Sequence, residues 1–207
     1  MIVLEESAEV YTVRGANLEI SFRRAVDRWQ HFVSIRGRTE SFSLMASVEG
    51  IPTDEVPGSP ALQDLLCENL SDSVVEFQLL GQAGKGVYSA AVRFDGQSQV
   101  IDFDMYARGR AADSPVCTMS RYQMAADGTA SAQPQREDGL IIRYRGEPGV
   151  DLSPVAIAGM PATECRLIGE ESHRRIAAGC FGIPGSVAPH KPVSVRWRYR
   201  IALAGHP

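Results

Sequence analysis

The run from Val193 to Leu203 reads as a strand with one face buried. Val193, Val195, Trp197, Tyr199, Ile201 and Leu203 share one parity, and Ser194, Arg196, Arg198 and Arg200 take the other. Side chains of a strand point alternately to opposite faces, so this run has an apolar face and a row of arginines behind it. A helix would scatter those arginines around its circumference. The same alternation recurs along the chain. Ile101, Phe103, Met105 and Ala107 oppose Asp102, Asp104, Tyr106 and Arg108. Leu18, Ile20 and Phe22 alternate with Asn17, Glu19 and Ser21, and Val75, Phe77 and Leu79 with Glu76 and Gln78. Leu140, Ile142 and Tyr144 leave Arg143 and Arg145 on the other side. Residues 8–14, 29–36, 41–48, 86–94, 115–125, 162–168 and 174–181 are further strand candidates.

Turn-forming residues separate these runs at 14–17, 81–86, 95–96, 127–128 and 146–149. Asp95-Gly96, lying between alternating runs, predicts a hairpin. Many short strands without intervening helices predict an all-β, antiparallel two-sheet β-sandwich, jelly-roll or supersandwich-like, with at most one short helix. The helix candidate has Ser59 as cap and Pro60 as its first residue, with Leu62, Leu65, Leu66 and Leu70 on a helical stripe. Its alternative is a strand with Leu62, Leu66 and Leu70 facing inward. Residues 49–60 form an irregular stretch with three prolines and three acids. Residues 127–138 are polar and read as a flexible loop within a single domain spanning 1–207. The roughly 70 residues beyond that loop would expose long sheet edges if they folded alone. At 207 residues and 44% hydrophobic, the chain is large enough for a core without disulfides or metals.

A net charge of -4 argues against a surface made for phosphate backbones, so nucleic acid is not an expected partner. No stretch approaches the ~18 apolar residues that would cross a bilayer. The start Met-Ile-Val-Leu-Glu-Glu-Ser lacks the features of a secretory signal, and a cytoplasmic location is expected. Cys67, Cys117, Cys165 and Cys180 show no zinc spacing and read as buried free thiols. No cofactor and no metal site is expected. Glu170 and His173 have a ligand-like i, i+3 spacing but sit in a charged turn, and His173, His190 and His206 read as solvated. The Gly81–Gly86 segment lacks the spacing of a phosphate loop and reads as a hairpin.

Two clusters are candidates for chemistry. Trp29 and His31 share a strand face with Val33 and Ile35. They belong either to the core or to a concave pocket in which the indole stacks on a sugar ring. Asp102 and Asp104, two residues apart on a strand, would sit ~6.5–7 Å apart, in the range of acid/base pairs for glycoside hydrolysis. The alternatives are pairing of this row with Arg196, Arg198 and Arg200, or a polar groove that grips carbohydrate or a small anionic ligand.

Residues 17–22, the segment Asp27-Arg28-Trp29-Gln30-His31 and the closing Trp197-Arg198-Tyr199-Arg200-Ile201 resemble an uncharacterised bacterial β-sandwich family, loosely over residues 10–203. The pattern is distantly similar to galactose-mutarotase-like supersandwiches and carbohydrate-binding sandwiches. That resemblance implies a concave sheet face able to hold a sugar. The histidine pair and glutamate base of mutarotases have no counterpart placed here, so no catalytic role carries over. The leading expectation is a non-catalytic, carbohydrate-binding module with Trp29, His31, Tyr88, Tyr106 and Arg198 as contacts. The alternatives are a sugar-active enzyme of epimerase or hydrolase type using Asp102, Asp104 or His31, and a structural protein that self-assembles into a homo-oligomer through a sheet face.

Overall fold

Where the sequence alternates the backbone is extended, and sixteen strands are present among the described residues. The computed structural model describes residues 2–37, 41–109, 116–125, 130–135, 139–144, 149–169, 175–181 and 192–205. The first strands are β1 (Val3–Glu6), β2 (Val10–Arg14), β3 (Leu18–Ala25), β4 (Arg28–Arg36) and β5 (Ser41–Ser47). A long hairpin series follows: β6 (Asp64–Ser71), β7 (Val74–Ala83), β8 (Gly86–Asp95) and β9 (Val100–Gly109). Then come β10 (Met119–Met124), β11 (Ala130–Pro134), β12 (Leu140–Tyr144) and β13 (Val150–Val155). The last are β14 (Glu164–Ile168), β15 (Arg175–Gly179) and β16 (Ser194–Leu203).

The strands form two antiparallel eight-stranded sheets that pack against each other as a β-sandwich. The first runs β1-β2-β3-β4-β5-β10-β15-β14 and the second β11-β12-β13-β16-β9-β8-β7-β6. The apolar parity of each strand points into one shared core. In β16 the buried residues are Val195, Trp197, Tyr199, Ile201 and Leu203, the predicted set less Val193, which lies just outside the strand. Phe103 of β9 stacks on Tyr199 with ring centroids 4.6 Å apart, an offset contact that locks the two central strands of the second sheet. A bulge interrupts the parity of β5. Val33 opposes Met45 and Ser34 opposes Ser43, so the extra residue Leu44 lets both Leu44 and Met45 bury.

Residues 48–63 strap the two sheets together. Trp29 N donates to Leu62 O at 2.7 Å and Gln63 N to Leu80 O at 2.7 Å, while Ser59 Oγ exchanges hydrogen bonds with Arg121 backbone groups. The strap passes so close to β7 that a Cβ on Gly81 would lie 1.9 Å from Ala61 O. No helix follows Ser59-Pro60, which is a correction to the helical reading. The stripe is resolved as the buried strap residue Leu62 and the edge strand β6. The strand alternative has the right type but the wrong parity for two of its leucines, since Leu66 and Leu70 are exposed while Leu65 and Cys67 pack against the core. Likewise the polar stretch 127–138 contains β11, paired with β12. Pro134 is tolerated there because β11 is an edge strand and need not donate to a neighbour. Residues 127–129 and 136–138 of that stretch lie outside the described residues.

Candidate ligand-binding face

Pairing register decides which side chains meet on the outer face of the second sheet. Leu80, Ser89, Tyr106 and Arg196 form one cross-strand row from β7 to β16. Gln78, Ala91, Asp104 and Arg198 form the next, and Glu76, Arg93, Asp102 and Arg200 the one after. On the edge strand β6, Asp64, Leu66 and Glu68 extend the three rows in turn. In the first two rows β8 supplies only Ser89 and Ala91, flanked on both sides by longer side chains. These small residues are the floor of a trough of about 650 Å³. Leu66, Gln78 and Leu80 line it on one side and Asp104, Tyr106 and Arg196 on the other, with Met160 also contributing. Leu66, Leu80 and Met160 are 56%, 58% and 46% exposed, so the trough offers aliphatic surface to solvent.

A second depression of about 500 Å³ lies further along β8, β9 and β16. Arg93, Asp95, Val100, Asp102, Arg200 and Ala202 line it. Along both, the aspartate and arginine rows are paired. Arg196 Nε donates to Asp104 Oδ1 at 2.7 Å, and its Nη2 donates to Oδ2. Arg198 Nε lies 3.4 Å from the same Oδ2. Arg200 Nε and Nη2 donate to the two oxygens of Asp102 at 2.7 and 3.0 Å. Hydrogen bonding to these carboxylates raises the pKa of both Arg196 and Arg200. With every oxygen of Asp102 and Asp104 accepting from a guanidinium, the rows form an ion-paired rim and not a general acid/base pair. Tyr106 stands on the trough wall, its hydroxyl 3.3 Å from Ser194 Oγ.

The other sequence candidates lie inside the sandwich. Trp29, His31 and Tyr88 are 5%, 4% and 3% exposed, and none reaches the outer face. Trp29 packs edge-on against Tyr11, and its Nε1 has no hydrogen-bond partner among the described residues. Tyr88 points inward from β8, and its hydroxyl accepts from Cys117 N. His31 Nε2 pairs with the Tyr122 hydroxyl at 2.8 Å, and that hydroxyl pairs with the one on Tyr199. Burial lowers the imidazole pKa to about 3, so His31 is neutral. Its Nδ1 is 3.9 Å from Oε1 of Glu49, a buried carboxylate that the sequence reading missed. The structure therefore brings Asp102, Asp104, Tyr106 and Arg198 onto one face and separates them from Trp29, His31 and Tyr88.

Leu66, Leu80, Ser89, Ala91 and Met160 also escaped sequence reasoning. The signal for the floor was present, since the outward parity of β8 is small at 89 and 91. None of the four cysteines is in a disulfide, and burial pushes Cys67 and Cys117 up to about 11. No cluster of three or more metal-ligating side chains occurs among the described residues. Glu170, His173, His190 and His206 lie outside them. No helix among the described residues is long and apolar enough to cross a membrane. No protein-family model and no curated protein matches the sequence.

Proposed function

We propose that this chain is a non-catalytic binding module that holds carbohydrate in the trough on the outer face of the second sheet. The make-up of the trough carries this reading. A sugar ring has an apolar face and a rim of hydroxyls, and its site needs apolar surface with a few convergent polar groups. Ala91, Leu80 and the Tyr106 ring supply the first. Asp64, Gln78, Ser89, Asp104 and Arg196 supply donors and acceptors around it. A catalytic reading gains less support, because Asp102 and Asp104 are gripped by arginines and His31 is walled into the core. Action in the cytoplasm is part of the same proposal.

The test is a glycan array followed by titration calorimetry on the hit. Ala91→Trp should abolish binding by filling the floor, and Tyr106→Ala should weaken it about tenfold, equivalent to ~1.4 kcal/mol. Both side chains face outward, so the unfolding midpoint should stay within a few degrees of wild type. A protein that binds no glycan, or an Ala91→Trp variant that binds as tightly as wild type, refutes the proposal.

A further inference from the structure

We infer that the ligand is a linear, uncharged oligosaccharide lying along β8 and β9 across two adjoining subsites, an inference that rests on the carbohydrate reading of the trough. The two depressions abut. On β8 the outward series Ser89, Ala91 belongs to the trough and continues directly into Arg93, Asp95 of the second depression. On β9, Tyr106 and Asp104 continue into Asp102 and Val100 in the same way. No outward position on either strand intervenes. On β16 the one intervening residue is Arg198, whose guanidinium leans on Asp104 at the junction. From Tyr106 to Val100 the groove runs six residues, roughly 20 Å at the rise of a strand, which is a span for a chain and not for one ring.

Charge decides the class of chain. The carboxylates lining the two depressions are Asp64, Asp95, Asp102 and Asp104, with Glu76 and Glu68 continuing the Asp102 row, and the guanidiniums are Arg93, Arg196 and Arg200, with Arg198 at the junction. Six carboxylates against four guanidiniums leave no positive field for a polyanion. They present a row of acceptors on β9 beside a row of donors on β16, and a hydroxyl can donate to the one and accept from the other. The small anionic ligand expected from sequence gains nothing from such a surface, whose Arg196 and Arg200 are already paired to aspartates. The aliphatic wall of Leu66, Leu80 and Met160 further suits a substituent with a methyl group, such as the acetamido group of an N-acetylhexosamine, in the trough subsite.

The experiment is calorimetry of the full chain with β-1,4-linked N-acetylglucosamine and glucose oligomers of one to six units. The expected result is a Kd that falls about tenfold or more between dimer and tetramer in at least one series, then levels off as the groove fills. Ala202→Trp, projecting into the second depression, should bring the tetramer's affinity down to that of the dimer. Arg93→Ala should act in the same direction and serves if the tryptophan variant fails to fold. Dimer binding that is lost in Ala91→Trp, yet neither improves with chain length nor responds to either second-subsite variant, overturns the chain ligand and leaves the trough reading standing. Sulfated or uronate oligomers binding about tenfold tighter than neutral ones overturn the uncharged class. Failure of both series overturns the inference, and a glycan array also negative for every sugar removes the trough reading with it.

Discussion

Replacing Glu49 with glutamine should erase a pH dependence that the interior of this sandwich carries. Glu49 follows β5 at the start of the strap, and its carboxyl is buried between the sheets. Arg28 Nη1 donates to the Glu49 backbone oxygen at 2.9 Å and its Nε and Nη2 donate to Asp27, while His31 is neutral and 3.9 Å away. Oε1 has no hydrogen-bond partner among the described residues. Desolvation therefore dominates and raises the pKa from an ordinary 4.5 to about 7, against a smaller opposing effect of the Ser47 hydroxyl. Between those values the unfolded chain has released the proton and the folded chain still holds it. The stabilisation is thus complete below pH 4.5 and is lost as pH rises through about 7. A difference of ~2.5 units corresponds to about 3 kcal/mol. Asp27, held below the usual carboxylate range by its hydrogen bond from Arg28, works in the opposite sense at the acid end. Subtracting the variant cancels it. The assay is urea unfolding of wild type and Glu49→Gln from about pH 4 to about pH 8, followed by the fluorescence of the buried Trp29 and Trp197. Wild-type stability should decline by roughly 3 kcal/mol relative to the variant across that range, with most of the change below neutrality. Parallel curves would mean that Glu49 finds a partner or water on ionisation and that burial does not hold its proton.

Two further outcomes test the architecture. Gly81→Ala should cost about 1–3 kcal/mol, because the new Cβ meets strap backbone at Ala61 O and Gln63 N, which cannot turn aside as a side chain could. Urea midpoints and faster exchange of the Gln63 amide report it, and an unchanged midpoint would show that the strap is not held where described. Leu79→Ala should cost about 2–5 kcal/mol and Leu66→Ser less than about 0.5, since Leu79 is buried and Leu66 is on the outer face. Comparable losses at both positions would contradict the parity of β6 and β7.

Local pattern was enough wherever a strand is half-buried and central. β8, β9 and β16 alternate cleanly, because one face meets the core and the other meets water. It failed at edges. β1 carries Glu5 and Glu6 beside Val3 and Leu4 and is mostly exposed, so no burial enforces a period. In β6 the leucines fall on both parities, and the outward pair completes a helical stripe as readily as it fits a strand. Pairing with β7 overrides that ambiguity, and no local sequence term contains the information. His31 was a different case. Its parity was read correctly, but whether a histidine on an inward face meets a ligand or another side chain depends on the opposite sheet, which here presents Phe103 and, through Tyr122, Tyr199.

The trough shows why the site was less legible than the strands that hold it. Its relief exists only because Ser89 stands between Leu80 and Tyr106, and Ala91 between Gln78 and Asp104, so it depends on the register of two hairpins. The β7–β8 register follows from a two-residue turn at Gly84-Lys85, with Gly84 at φ 51°. The β8–β9 register does not follow from Asp95-Gly96 in that simple way. The loop runs through Gln97, Ser98 and Gln99 before Val100 pairs with Asp95. Asp95 Oδ1 accepts from Gln97 N and Ser98 N, and Gln99 takes φ 54°, a left-handed conformation that costs a non-glycine residue energy. What holds it there is the other sheet, since Gln99 Oε1 accepts from Asn17 N at 2.8 Å and Leu18 N at 3.0 Å. A two-residue turn at 95–96 would instead pair Phe94 with Gln97 and slide β9 along β8, placing a different residue beside Ser89. The aspartates, arginines and Tyr106 could thus be assigned to an outer face by counting alone. That they enclose a groove is decided by a glutamine anchored some 80 residues away in sequence.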